Sequence, residues 1–222
     1  MNQFPKLFSD VVGCQICSSA IEKCMLRDAH ENVPQPGYVG KQYMSKRVLL
    51  VGQNPGVGNS VSEARSQAYL QKLREIRDRP GVKIFSELQE ILANLIPTWP
   101  VHGNYFPLEQ AGLELDEIAH INLVRCRTCS NGKPTTGMIN NCSMHFEKWL
   151  EHLNPKVVVF VGKWASDNGS QFVSKHNIPH IFVNRMRSLS GAARQQNLND
   201  VARFVRERSI IGRSIIGDRP RF

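Results

Sequence analysis

The chain has 222 residues, 41% of them hydrophobic and 21% charged, enough for one α/β domain with its own core and unlike a disordered tail or a membrane-embedded chain. Twenty-eight Lys and Arg against 19 Asp and Glu leave a net charge of +9, the balance of a chain that sits on a polyanion, so nucleic acid is the first partner implied. The excess is uneven: nine arginines, no lysine and three acids lie between Arg185 and Phe222, which places +6 of the charge in the last 38 residues. A solvated helix face explains part of this, but guanidinium forks suit phosphate better than ammonium groups do.

No stretch approaches the roughly 18 consecutive apolar residues of a membrane span. The start, MNQFPKLFSDVVG, has no positive region followed by an uninterrupted apolar run, so it is a poor signal peptide. The chain is therefore expected in the cytoplasm, nucleoid-associated if bacterial, as a monomer. Its six cysteines are expected to stay reduced, which leaves metal ligation or buried thiols.

Taken in chain order, residues 1–26 carry a short apolar-patterned segment and three cysteines, and His30 to Gly40, with two Pro and two Gly, reads as a loop. Arg47 to Gly52 (RVLLVG) is a buried parallel strand in pattern, stopping at glycine. Val61 to Arg79 and Phe85 to Ile96 are helical in spacing, ended by Pro80-Gly81 and by Pro97. After the aromatic loop Thr98 to Pro107 come a strand at Ile118 to Val124, a helix at Met138 to Leu153, and the clearest strand, Lys156 to Gly162. Trp164 to His176 is a helix, His180 to Val183 a fourth short strand, and Ala192 to Arg208 a closing amphipathic helix. Helices alternating with β-branched strands imply a parallel sheet wrapped by helices, with the active edge at the carboxyl ends of the strands. That rule selects the residues after Val51, around Asn122, after Val161 and after Val183.

Gly52-Gln53-Asn54-Pro55-Gly56 follows the first strand. Asn-Pro-Gly is a natural turn, and no Gly-Lys-Ser/Thr follows to make it a phosphate loop. Alternatively, an amide at a strand end beside glycines positions a water and binds a planar ring. Two Cys-x2-Cys pairs, Cys14/Cys17 and Cys126/Cys129, read naturally as a zinc site, with Cys24 and Cys142 left over. The rival grouping is Cys14, Cys17, Cys126 and Cys142 around an iron-sulfur cluster.

Four ordered segments carry a resemblance. Ile121-Asn-Leu-Val-Arg-Cys-Arg127 looks like the Asn-Val-Val-Lys-Cys-Arg stretch of the iron-sulfur class of the uracil-DNA glycosylase superfamily, and a further cysteine, Cys142, opens the following helix as in that class. Leu153-Asn-Pro-Lys-Val-Val-Val-Phe-Val-Gly162 resembles the same class's Leu-x-Pro-Lys strand. Gly52 to Gly56 is similar to the superfamily's first catalytic motif, in the Asn-Pro-Gly form of its mismatch-specific and single-strand-selective branches. The resemblance implies an α/β domain over residues 1–208 with a four-stranded parallel sheet in the order 2-1-3-4, helices on both faces, and a basic tail at 209–222. It also shifts the thiols toward a [4Fe-4S] cluster on Cys14, Cys17, Cys126 and Cys142, with zinc as the alternative.

Position by position, the resemblance puts Asn54 where the family holds its attacking water, and the Gln53 backbone N–H against the base carbonyl. Asn122 falls on the base-reading Asn, which pairs with uracil N3–H and O4 or, rotated, with cytosine N3 and its amino group. Capping of nearby backbone is the plainer role for such an Asn. The second catalytic motif departs from the family. Asn184 aligns with its Asn variant, but Pro and Ser are replaced by Arg185-Met-Arg187-Ser188. Arg185, Arg187 and Ser188 are expected to bind DNA, an Arg at 185 or 187 gripping a phosphate or stabilising the leaving anion, with Met186 or Leu189 filling the space of an extruded nucleotide. Val61 to Arg79 looks like an added helix, and the ring stacking on the flipped base is expected to be Tyr69 or Phe85, although Phe85 also fits plain core. His102 is a loop candidate, and the remaining histidines fit structural or surface roles.

The expected activity is that of a monofunctional DNA glycosylase that releases uracil or another modified pyrimidine, in base-excision repair or in defence against phage DNA. Relatives include a phage-defence glycosylase acting on glucosylated hydroxymethylcytosine, and the altered pocket fits a base other than plain uracil. No lysine sits in the matched motifs, so no Schiff-base step is expected. The rivals are a non-catalytic DNA-binding zinc-ribbon or Fe-S protein on a degenerate glycosylase scaffold, and a nucleotide-binding enzyme, which lacks the lysine and acidic partner it needs.

Overall fold

The computed structural model describes residues 4–17, 33–56, 60–79, 82–96, 106, 108–128, 132–184 and 191–210, with backbone alone at 60–66, 82–84 and 210. Its centre is a five-stranded sheet of β1 (Tyr38–Val39), β2 (Val48–Gly52), β3 (Ile118–Asn122), β4 (Val157–Val161) and β5 (His180–Val183), in the order β1-β3-β2-β4-β5. The last four are parallel, in the arrangement expected from the sequence. β2, β3 and β4 read as near-continuous apolar runs because both their faces are covered.

Alternation along the strands sorts the core into two halves. Leu49, Val51, Ala119, Ile121, Val158 and Phe160 face α1 (Phe4–Val12), α3 (Ser60–Asp78), α4 (Val82–Leu95), α5 (Thr136–Leu153) and α6 (Lys163–Lys175). Val48, Leu50, Val157, Val159 and Val183 face α7 (Gly191–Ile210) through Val201, Ala202 and Val205, together with Phe106 and Leu113. α6 lies close on the sheet because residue 169 is glycine: a Cβ there would sit 2.5 Å from the Phe160 ring. α3 and α4 pair side by side, and Lys72, 2.7 Å from Glu75 on its own helix, reaches across to Glu87 of α4 at 2.9 Å.

β1 lies where a loop was expected. Two residues of strand flanked by Pro34, Pro36, Gly37 and Gly40 carry no periodicity of their own, and tertiary partners hold them in place. β1 runs antiparallel to β3, Val39 N–H donates to Gln89 Oε1 at 2.9 Å, and Tyr38 Oη donates to Asp116 Oδ1 at 2.8 Å. The short helix α2 (Tyr43–Lys46) and a 3-10 turn at Leu115–Glu117 were likewise not read from the sequence. α7 continues to Ile210, past the boundary drawn at residue 208, and residues 211–222 lie outside the described part. No helix among the described residues is long and apolar enough to cross a membrane.

Candidate active site

The carboxyl edge of the sheet brings the first-motif residues against the exit of β3. Gly52 stands in register with Asn122, and the pairing runs on beyond the strands: Leu123 N–H donates to Gly52 O at 2.8 Å and Val124 N–H to Gln53 O at 3.0 Å. Gln53 is buried and Asn54 is partly open to solvent. The Asn54 Nδ2 group donates to Pro55 O at 3.2 Å and to Thr128 Oγ1 at 3.1 Å. Asn184 follows β5, two strands away from β2, and its backbone N–H donates to Asn197 Oδ1 of α7 at 2.8 Å.

Asn122 points its amide across Gly52. A Cβ at position 52 would collide with Asn122 Oδ1 and come within 3.6 Å of His120 Nε2, so the glycine is what lets this amide lie flat over β2. Beside it is a small cavity of about 10 Å³, roughly one water's room, lined by Gln35, Gly37, Tyr38, Tyr69, Leu92, His120 and Asn122. Gly→Ala at an ordinary backbone position stabilises by about 0.4–1 kcal/mol through the unfolded chain. Gly52→Ala is expected to stay within about 1 kcal/mol of the parent in urea denaturation, because the atom a methyl meets there, Asn122 Oδ1, is the free end of a side chain that swings aside, so the change displaces the amide rather than the fold. A loss of about 3 kcal/mol that Asn122→Ala recovers would show instead that the amide is fixed in place.

Of the two candidate rings, Tyr69 lines this cavity and is buried, and burial pushes its phenol pKa upward against the opposing pull of Arg125 and Arg127. Phe85 goes elsewhere: its ring meets Phe8 of α1 edge-on at 4.7 Å, in the core between α1 and α4, so the plain-core reading describes its place and the structure does not bring it to Asn122. His120, read from sequence as structural, lines the cavity with Asn122. Its position two residues earlier on the same strand was the available signal, since alternate residues share a face. Thr128 carried no sequence signal. Arg185, Arg187, Ser188, Met186, Leu189, His102, Cys24 and Cys129 lie outside the described residues.

Behind the pocket the structure collects the thiols of Cys14, Cys17, Cys126 and Cys142. Cys17 and Cys142 are hydrogen-bonded to each other, and Cys126 feels the charges of Cys17 and Cys14. Cys17, Cys126 and Cys142 are buried in one core region that joins the end of α1, the exit of β3 and the first turns of α5. Within the Cys17/Cys142 pair the first proton leaves easily: the hydrogen bond from Cys142, helped by one from Asn141 Nδ2 at 3.5 Å, brings Cys17 down to about 6 against the effect of burial. Cys142 is correspondingly held up, and burial pushes Cys126 up to about 12. Cys14 is raised by burial. Among the described residues no three His, Cys, Asp or Glu converge closely enough to hold a single ion.

Arg125 lies beside these thiols. Only 1% exposed, it donates Nη1 to Pro36 O at 2.6 Å, lies over the Trp149 ring at 5.2 Å, and offers its backbone N–H to Cys142 Sγ at 3.5 Å. Its Nε and Nη2 have no hydrogen-bond partner among the described residues. Burial lowers its pKa to about 10, and the groups that oppose this are Cys142 and Tyr69 rather than a carboxylate. A buried guanidinium that feels the charge of Cys142 is an electrostatic complement to a thiolate there.

A family model described as the uracil DNA glycosylase superfamily matches residues 41–207, from just before α2 into the last turns of α7. Among curated proteins the chain is similar to a type-4 uracil-DNA glycosylase of Sulfurisphaera tokodaii, with 23% identity over 167 residues. The match takes in 75% of this chain and 57% of that relative's length.

Proposed function

Because the chain belongs to the uracil DNA glycosylase superfamily, we propose that it is a monofunctional DNA glycosylase, hydrolysing the N-glycosidic bond of a flipped-out pyrimidine nucleotide and leaving an abasic site. The observation that carries this reading is the pair of amides at one sheet edge, Asn54 beside the exit of β3 and Asn122 over Gly52. Asn122 reads the edge of the base, and Asn54 orients water. An amide is too weak a base to deprotonate water early, so the bond from C1′ to the base nitrogen breaks first. Its electron pair leaves on the base, and the sugar becomes an oxocarbenium ion. Water held by Asn54 then adds its oxygen to C1′ and gives up a proton, which neutralises the departing base anion directly or through solvent.

The four gathered thiols support a [4Fe-4S] cluster over zinc. Cys142, not part of either Cys-x2-Cys pair, belongs to the group, and N–H donors reach the sulfurs of Cys17 and Cys142, contacts of the kind that tune a cluster's potential. When bound, the cluster supplies thiolate bonds that tie the end of α1 to the residues behind Asn122. The name of the S. tokodaii relative supports uracil as a substrate. The arginine-rich second motif, with the α3 wall carrying Tyr69, supports a bulkier pyrimidine such as glucosylated hydroxymethylcytosine, in defence against phage DNA rather than repair. Arg185, Arg187 and Ser188 then hold the DNA backbone, and Asn184 faces the reacting sugar.

Incubating the chain with duplexes and phage genomes that carry uracil, hypoxanthine, hydroxymethyluracil or glucosylated hydroxymethylcytosine, and identifying the freed base by mass, tests the reading. A single pyrimidine released with alkali-labile sites in its place is the expected result. Tight, salt-sensitive DNA binding with no base released from any of the four would instead establish a binding protein on a degenerate scaffold.

A further inference from the structure

We propose that Thr128 is a positioning residue for the glycosylase reaction, fixing which end of the Asn54 amide meets the attacking water. The inference rests on the reading of Asn54 as the water-holding residue. Thr128 lies on the exit from β3 and is 1% exposed, whereas Asn54 is open to the site. Its hydroxyl has a single proton, and that proton goes to Gly132 O at 2.6 Å, because a carbonyl only accepts. Toward Asn54 the hydroxyl therefore presents a lone pair, at 3.1 Å, and only the NH2 end of the amide satisfies it. The second proton of that NH2 is taken by Pro55 O at 3.2 Å. With both protons placed, Oδ1 is turned away from Thr128 and Pro55, and no donor among the described residues faces it.

The consequence is chemical. A free amide rotates about its Cβ–Cγ bond and offers water either a donor or an acceptor, and only an acceptor holds the water's proton while its oxygen lone pair faces C1′. The Gly132–Thr128–Asn54 relay removes the wrong orientation before substrate arrives. Thr128 touches neither base nor sugar and acts through Asn54 alone. That separates it from a residue that merely supports the fold, for which its bond to Gly132 would suffice.

The test uses the full chain, single-turnover conditions, and whichever duplex of the four-base panel the unaltered chain cleaves best. Thr128→Val removes the acceptor and keeps the shape, Thr128→Ala removes it without risk of overpacking, and Thr128→Ser keeps it. The valine and alanine variants should lose about 10- to 100-fold in the maximal rate with an unchanged half-saturating protein concentration, the scale expected of a misplaced reactant. The serine variant should stay within about threefold of the parent, since it retains the hydroxyl. Adding Thr128→Ala to Asn54→Ala should cost nothing further, because residues that act as a unit are not additive. A parental maximal rate in both the valine and alanine variants would overturn the proposal, as would an undiminished effect of Thr128→Ala in the Asn54→Ala background. If Asn54→Ala itself keeps the parental rate, the reading of Asn54 fails and the role of Thr128 falls with it.

Discussion

Asn54→Ala is expected to slow base release by about 10²- to 10³-fold, the range for loss of one positioned polar group at a reacting centre, with DNA affinity held within about threefold. The separation between rate and binding follows from the layout of the site. The amide makes its contacts with Pro55 and Thr128 and, in the proposed reading, turns its oxygen to water, while the arginine-rich segment proposed to contact phosphate starts in sequence beyond β5. Alkali cleavage of end-labelled DNA under single-turnover conditions measures the rate, and a gel shift at two salt concentrations measures the affinity. Equal rates in parent and variant would remove Asn54 from the mechanism. Equal losses in rate and affinity would assign it to binding.

Cys142→Ala is expected to yield a colourless protein that melts roughly 6–20 °C below the brown parent. The shift follows from a loss of about 3–5 kcal/mol when one member of a buried charge-compensated group is removed, at roughly 2–4 °C per kcal/mol for a chain of this size. On the cluster reading, the colour is not the only thing lost. Arg125 is buried with two of its nitrogens lacking partners among the described residues, and Cys142 is among the groups that hold its charge. Cys142→Ala therefore strands a cation in the core, and adding Arg125→Met should return part of the melting temperature without returning the colour. Iron analysis, the visible absorption band and a thermal melt read the three outcomes separately. One zinc per parent chain, with no iron, would overturn the assignment.

β2, β3 and β4 were legible because each is buried on both faces, which leaves a near-continuous apolar run bounded by Gly or Asn. β1 was not, because two residues have no period and this pair is held by Gln89 from 50 positions away. The same distinction separates the site residues. Gln53, Asn54 and Asn122 could be placed at one edge because strand ends are marked in the sequence, and the order of the strands brings those ends together. Thr128 meets Asn54 across 74 residues, a contact no local pattern announces. Of the two candidate rings Phe85 already sat on the apolar face of its helical pattern, and the packing of α4 on α1 sends it to Phe8 while Tyr69 lies by Asn122. Cysteine spacing was ambiguous by nature: Cys142 joins the other thiols through the way α5 starts beside the exit of β3, which is a property of the fold.

Gly52 limits how this pocket can diversify. The floor under Asn122 is already the smallest residue available, and any side chain there displaces the amide proposed to read the base. A lineage moving from a small base to a large one therefore has no room to gain from the sheet. It must gain it from the opposite wall, where Tyr69 projects from α3. Under the proposed reading, specificity is then free to drift through the helical wall, Tyr69 of α3 and Leu92 of α4, while the sheet edge stays fixed.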